Sequence, residues 1–177
     1  MKLIYSIAII VCLFLFSCES KPSLQKYFVE NTDNKNFIAV DVSSNILNID
    51  KTKLTLEQRN AMQSFDKMNV LAYKMNDKNK AEFEIERTKI NSILKDTKYQ
   101  QLMKISSGKE GAVLSYVGSD ENINEFVLYG NQNKTGFVVI RILGKDMNPS
   151  NIMSILSVLQ ISNIDMEQLK PLQALIK

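Results

Sequence analysis

The segment Phe137-Val138-Val139-Ile140-Arg141-Ile142-Leu143 decides the fold of this chain. Its apolar residues stand at both odd and even positions, so a strand formed by it is apolar on both faces. Strands of this kind lie inside a sheet that other elements cover on both sides. The segment therefore predicts a central β-strand that is covered above and below.

Glycine-marked turns place this segment at the end of a series of short strands. All six glycines lie between Gly108 and Gly144, and glycine favours tight turns over helices. Apolar runs about a dozen residues apart, with turn signals between them, predict a β-meander. The predicted strands cover residues 99–105, 112–117, 123–129 and 137–143.

Helices and two further strands surround the meander. Thr55 and Gln58 fit a capping box, and Asn148 followed by Pro149 is typical of a helix start. Helices at both ends of a series of consecutive strands indicate a single α+β domain with a mainly antiparallel sheet and helices packed on it. The predicted helices cover residues 23–30, 55–66, 79–95 and the segment after 148, and the two predicted strands cover residues 37–42 and 68–75.

The C-terminal residues carry an apolar stripe. Met166, Leu169, Leu172 and Leu175 recur at helical spacing, interrupted by Pro171. We expect an amphipathic helix that packs against the sheet. The same stripe would also suit docking on a partner or on lipid.

The first residues predict an export signal. Lys2 provides a positive start, residues 3–16 are mostly apolar, and the small Ser17 follows. A charged start, a short apolar core and a small residue at the cleavage point are typical of a secretory signal. The core is too short to span a bilayer comfortably, since spanning takes about 20 apolar residues.

Leu15-Phe16-Ser17-Cys18 matches the lipobox of bacterial lipoproteins at its first, third and fourth positions, with a bulky residue at the second. We therefore predict that residues 1–17 are a lipoprotein signal peptide and that Cys18 is lipidated with acyl chains such as palmitate. Residues 18–22 would form a short tether to a globular domain over residues 23–177. Two or more acyl chains hold a protein firmly on a membrane without a transmembrane helix. A plain secretory signal and an N-terminal membrane helix are the alternatives.

Composition excludes several kinds of site. The chain has no histidine, which removes the commonest general base and the commonest zinc ligand. Cys12 and Cys18 are the two cysteines and lie within or directly after the signal, so neither a Ser-His-Asp triad nor a Cys-His pair can form in the domain. A formal net charge of +3 gives no reason to expect nucleic acid as a partner. We predict no catalytic residue, no cofactor and no metal site.

Three polar segments invite a functional interpretation. Ser106-Ser107-Gly108-Lys109-Glu110-Gly111 lacks the upstream glycine and the Lys-Ser/Thr ending of a phosphate-binding loop, so we predict a hairpin loop. Asp33-Asn34-Lys35-Asn36 and Asp120-Glu121-Asn122 offer oxygen ligands but lack the twelve-residue calcium loop. We predict that both are solvated turns.

Asp41 is a charged residue within an apolar strand. If the sheet is covered there, its carboxylate needs a partner, and Arg141 or Lys74 would supply one. The sequence therefore predicts a structural ion pair rather than an acid catalyst.

The lipobox is followed by characteristic segments at residues 37–43, 70–73, 99–103 and 137–147. In this order of elements the chain resembles the bacterial lipoproteins grouped as domain of unknown function family 4252. The resemblance covers most of the chain after the signal and depends on hydrophobic pattern and element order. It implies a small α+β envelope protein of uncharacterised function, and it brings no catalytic motif to transfer.

These observations favour a membrane-anchored bacterial envelope lipoprotein with a non-enzymatic binding or interaction domain, held on the outer membrane and facing the periplasm. Its ligand is unknown, and an envelope protein is the expected partner. One alternative is an envelope hydrolase that uses carboxylates or a Ser–Lys pair, with Ser106, Ser107 and Lys109 as candidates. Those side chains would have to converge in a cleft within hydrogen-bond reach. Another alternative is a structural or adhesive lipoprotein on the cell surface.

Overall fold

The computed structural model describes residues 21–46 and 50–161. The predicted signal, Cys18 and the C-terminal stripe at residues 166–175 lie outside these ranges. The described helices are α1 (Leu24–Asn31), α2 (Leu56–Ser64), α3 (Lys80–Ile93) and α4 (Pro149–Ile161), with short 3-10 turns at Ser44–Ile46 and Lys51–Lys53. The described strands are β1 (Phe37–Ser43), β2 (Phe65–Lys74), β3 (Gln100–Ser107), β4 (Glu110–Ser119), β5 (Asn122–Gln132) and β6 (Gly136–Met147).

The strands form one antiparallel sheet in the order β1-β2-β6-β5-β4-β3. β3 to β6 follow one another as a meander, as the glycine-marked runs predict. β6 lies between β2 and β5, so its prediction as a central strand is confirmed. The predicted cover on both faces is incomplete, because Val138 and Ile140 are only partly buried. The α+β class with a mainly antiparallel sheet and packed helices is confirmed as well.

α2 and α4 pack on one face of the sheet, which we call the α2–α4 face. Ala61 of α2 and Ile155 of α4 belong to the same buried apolar cluster as Phe126 of β5. Gln58 Nε2 donates a 3.0 Å hydrogen bond to Ser157 Oγ. The two helices therefore contact each other as well as the sheet.

α1 and α3 pack on the opposite face, the α1–α3 face. Its core is an aromatic cluster around Phe137 of the central strand, whose ring centre lies 5.5 Å from that of Tyr73 and 6.1 Å from that of Phe83. Leu24 of α1 and Ile90 of α3 are fully buried in the same cluster. Because large rings bury much apolar surface, this cluster is a major source of stability.

Local sequence signals fix where two helices begin. In the predicted capping box, Gln58 N donates to Thr55 Oγ1 at 3.1 Å and Thr55 N donates to Gln58 Oε1 at 2.9 Å. Ahead of α4, Asn148 Oδ1 accepts hydrogen bonds from the backbone N of Ser150 at 3.0 Å and of Asn151 at 3.2 Å. These bonds satisfy backbone donors that a helix start leaves free.

The predicted end of the second helix is wrong. α2 stops at Ser64 rather than near residue 66, because Phe65 takes extended dihedral angles (φ −88°, ψ 122°) and opens β2. The Phe65 ring is buried, and it belongs to a strand rather than to the helix. No glycine or proline marks this direct passage from helix to strand.

Candidate binding surfaces

β3 is the least covered strand of the sheet. All eight of its residues are exposed, and Leu102, Met103 and Ile105 show 42%, 53% and 63% of their surface. β3 is also the last strand in the sheet, so its outer row of backbone N–H and C=O groups faces no other strand among the described residues. Such a row is a template for pairing with another chain.

Two exposed apolar side chains of β3 belong to an apolar surface that continues across the neighbouring strands. Met103 pairs with Leu114 and Ile105 pairs with Ala112, so all four lie on the α2–α4 face. The same two rows extend across β5 and β6. We call this partly exposed surface the apolar strip; its members are Met103, Ile105, Ala112, Leu114, Leu128, Val138 and Ile140.

The apolar strip is uncovered because the helices on this face stand over the other end of the strands. The next row of the sheet, with Met68, Ile142 and Phe126, is buried together with residues of α2 and α4. α4 begins two residues after Met147 ends β6, and Ile152 of its first turns joins the same cluster. The two helices therefore leave the Ile105 end of this face open.

A polar cleft of about 430 Å³ lies on the α1–α3 face, between α3 and the β3–β4 hairpin. Tyr129 and Asn131 of β5 are two residues apart on one strand, so both point to this face. The residues that matter for its chemistry are Arg87, Asn91, Lys104, Lys109, Tyr129 and Asn131. We call this region the polar cleft.

The β5 side of the polar cleft holds two polar atoms that are almost fully buried, the Tyr129 hydroxyl and Asn131 Oδ1. Neither the Tyr129 hydroxyl nor Asn131 Oδ1 makes a hydrogen bond of normal geometry in the part of the chain that the structure describes. Asn91 and the charge of Arg87 are close to the Tyr129 hydroxyl, yet burial raises its pKa to about 12. Tyr129 is therefore a neutral O–H donor near pH 7.

Three cations surround the polar cleft, and they differ in how they are held. Arg87 pairs with Glu84 and donates a 2.9 Å hydrogen bond from Nη1 to Asn133 Oδ1. Lys104 and Lys109 are exposed and make no ion pair among the described residues. Arg87 is thus held in place at the side of the cleft, whereas Lys104 and Lys109 carry charges that no described acidic side chain neutralises.

Ser106, Ser107 and Lys109 lie in the β3–β4 hairpin, as predicted. Ser107 pairs with Glu110, and Gly108 makes the turn with a φ of +62°, which glycine adopts without strain. The three candidate side chains are exposed, and no hydrogen bond joins them within residues 100–119. This geometry gives a Ser–Lys hydrolase no support.

The predicted ion pair of Asp41 with Arg141 or Lys74 is wrong. The register places Asn69 of β2 between Asp41 and Arg141, and Asn69 Nδ2 donates a hydrogen bond to the Asp41 carboxylate. Arg141 binds Glu125 of β5 instead, with Nε to Oε1 at 2.6 Å and Nη2 to Oε2 at 3.2 Å. Lys74 lies at the other end of β2. Asp41 itself is exposed and needs no buried partner.

Residues 33–36 and residues 120–121 lie in turns, as predicted. In the second of these turns Asp120 accepts a hydrogen bond from the Tyr116 hydroxyl. Within the described ranges no group of three or more Asp, Glu or Cys side chains could hold a metal ion. Nor does any described helix have the length and apolarity to cross a membrane.

Sequence reasoning missed the polar cleft. Arg87, Lys104 and Tyr129 come from a helix and two strands that are far apart along the chain, and no motif spacing connects them. The spacing of Tyr129 and Asn131 on one strand was the only signal, and it is too common to identify a site. The exposure of β3 could not be predicted from the sequence either, because its apolar residues predict a buried strand.

A family model described as domain of unknown function (DUF4252) matches residues 27–155. The match covers all six strands, α2 and α3, residues 27–31 of α1 and residues 149–155 of α4. No curated protein and no solved structure matches the chain.

Proposed function

This chain belongs to the DUF4252 family of domains of unknown function, and from its own residues we propose that it is a lipid-anchored bacterial envelope protein whose domain binds another envelope protein without catalysis. The observation that carries this proposal is β3, an edge strand exposed along its whole length with three apolar side chains. Soluble proteins seldom leave such an edge unprotected, because it pairs readily with other chains.

The partner that fits this edge is an extended protein segment with alternating apolar residues. Its backbone would pair with the outer row of β3, and its apolar side chains would lie beside Met103 and Ile105 on the apolar strip. Full burial of a side chain of this size contributes about 1.5–3 kcal/mol. Lys104 lies on the opposite face of the strand, and an acidic residue of the partner facing it would add a favourable cross-strand pair.

The proposed lipid anchor determines where this domain is located. The lipobox ends at Cys18, and α1 begins at Leu24, so the tether between lipid and domain is only a few residues long. A tether of this length keeps the domain at the membrane surface, where the partner is expected. We place the anchor in the outer membrane with the domain facing the periplasm.

Photo-crosslinking in the native envelope tests the proposed binding. A photoreactive phenylalanine analogue at position 105 should yield a crosslinked protein, and the same analogue at position 85 should yield none. Ile85 is the matched control because it is an exposed isoleucine on α3, at 57% against 63% for Ile105. Ile105→Lys should abolish the product formed from an analogue at position 102, and Ile85→Lys should leave it unchanged.

Two results would contradict the proposal. Equal crosslinking from positions 85 and 105 would mean that β3 has no special role. If a folded, membrane-bound chain gave no crosslinked product from positions in β3, this strand would be excluded as a docking site. Mass spectrometry of the peptide that contains Cys18 tests the anchor separately, and Cys18→Ala should release the protein from the membrane fraction.

A further inference from the structure

We propose that residues 162–177, which follow α4 in the same chain, cover the inner part of the apolar strip. The inner part consists of its four side chains on β4, β5 and β6, namely Leu114, Leu128, Val138 and Ile140. This inference does not depend on the proposed protein partner, because that partner pairs with the outer backbone row of β3 and contacts Met103 and Ile105. It follows from the partly covered central strand, from a depression in the sheet and from the sequence after α4.

The central strand β6 is covered unequally on its two faces. Phe137 and Val139 on the α1–α3 face are 4% and 0% exposed, whereas Val138 and Ile140 on the α2–α4 face are only partly buried. Ile140 pairs with Leu128 of β5, which is partly buried as well. Soluble proteins seldom leave contiguous apolar surface open to water, so a further element is needed over these side chains.

The inner part of the strip contains a depression that an apolar side chain can fill. Its volume is about 440 Å³, and its walls include Ile105, Gly130 and Val138. Gly130 pairs with Val138, and a Cβ at position 130 would lie 3.5 Å from Val138 Cγ1, which is an ordinary contact. Packing therefore does not require glycine at this position, and its missing side chain leaves room for one from another element.

α4 places the residues that follow it next to this face of the sheet. Leu156 of α4 packs against the same buried cluster as the inner part of the strip, and Val158 in the last turns of α4 is fully buried. The chain therefore leaves α4 beside the α2–α4 face. Because residues 162–177 are joined to α4, they meet the strip at a high effective concentration, which a second copy of the chain lacks.

The sequence after α4 predicts an element of the right kind. Ser162 followed by Asp165 has the capping-box spacing of a helix start. Met166 and Leu169 are neighbours on one face of such a helix, and the rest of the C-terminal stripe follows beyond Pro171. Three neighbouring strands span about 10 Å between their axes, and a helix of about seven residues has the same length. The segment before Pro171 is therefore long enough to cross β4, β5 and β6.

Photo-crosslinking of the full-length protein in intact cells tests the inference. A photoreactive phenylalanine analogue at position 169 should form an intrachain crosslink to β4, β5 or β6, which mass spectrometry of the digested protein locates. The same analogue at position 168 should form no such crosslink, because Gln168 would lie on the opposite side of the helix from Met166 and Leu169. Gln168 is the matched control because it is the direct neighbour of Leu169 in the chain.

Charge substitutions test the same contact through stability. Leu169→Lys should lower the Tm of the full-length protein by about 4–8 °C, as expected when a large apolar side chain can no longer be buried. It should also increase the fluorescence of anilinonaphthalenesulfonate, a dye that binds exposed apolar surface. Gln168→Lys introduces the same charge and should change neither quantity.

Any of three results would overturn the inference, and none of them bears on crosslinking of β3 to a partner. The first is a crosslink from position 169 to a second copy of the chain, to another protein, to lipid or to a part of its own chain other than β4, β5 and β6. The second is the same intrachain product from positions 168 and 169, or no product from position 169 in a folded chain. The third is an unchanged Tm and unchanged dye fluorescence in Leu169→Lys.

Discussion

The two edges of the sheet have opposite surroundings. β1 buries Phe37, Val40 and Val42 between helices on both faces and exposes the charged Asp41, whereas every residue of β3 is exposed. Both strands are antiparallel edges of similar length. The difference lies in where the four described helices pack, and it separates an edge that stabilises the fold from an edge that none of these helices covers.

Removing a ring from the covered side should have the largest effect. Phe137→Ala should lower the free energy of unfolding by about 3–5 kcal/mol, because its ring contacts those of Tyr73 and Phe83 and the cavity left behind cannot collapse fully. Urea denaturation followed by circular dichroism measures this loss. A loss below about 1 kcal/mol would show that the aromatic cluster is not the stabilising core.

Breaking the buried ion pair between Glu125 and Arg141 should have the second-largest effect on stability. Glu125→Leu leaves Arg141 buried without its carboxylate, so we expect a loss of about 3 kcal/mol. The double variant Glu125→Leu with Arg141→Met should recover most of that loss, since two apolar side chains of similar volume replace the pair. If the double variant were no more stable than the single one, the unpaired charge of Arg141 would not be the cause of the loss in stability.

Tyr129 makes stability depend on pH in the alkaline range. An unfolded tyrosine ionises near pH 10, but the pKa of Tyr129 in the folded protein is raised to about 12 by burial. The unfolded state therefore loses its proton first, and the free energy of unfolding should fall between about pH 10 and about pH 12, by up to about 2–3 kcal/mol from this group. Below about pH 9 this group should have no effect.

Urea denaturation at a series of alkaline pH values checks this dependence. Tyr129→Phe should make the fall shallower without abolishing it, because burial also raises the pKa of Tyr73 to about 12. An identical pH profile in Tyr129→Phe would mean that the hydroxyl is accessible to solvent.

Changes on the open edge should have the smallest effect on stability. Ile105→Lys should alter the free energy of unfolding by less than about 0.5 kcal/mol, because the side chain is largely exposed. Light scattering at high protein concentration should nonetheless show less self-association, since a charge now interrupts the edge. A stability loss comparable to that of Phe137→Ala would show that β3 is covered in solution.

Patterns of neighbouring residues predicted much of this fold. The apolar run of β6 predicted a central strand, the glycines between Gly108 and Gly136 marked the meander, and the capping box at Thr55 marked a helix start. Each of these features depends on residues close together in the chain. Local patterns therefore established element types and fold class.

Features that depend on strand order could not be predicted in this way. The sequence predicts an ion pair of Asp41 with Arg141 or Lys74, because nothing in it places Asn69 between Asp41 and Arg141. That order arises only when β2 lies between β1 and β6. The polar cleft brings Arg87, Lys104 and Tyr129 together by the same kind of long-range packing. β3 has an apolar pattern that predicts burial, and only the positions of the helices leave it exposed.

Amide hydrogen exchange of the full-length protein, measured by mass spectrometry, tests the account of β3 most directly. In dilute purified protein the amides of β3 should exchange much faster than those of β1. In the native envelope the β3 amides should become protected while those of β1 remain unchanged. Equally fast exchange of β3 in both settings would contradict the claim that this edge binds a partner.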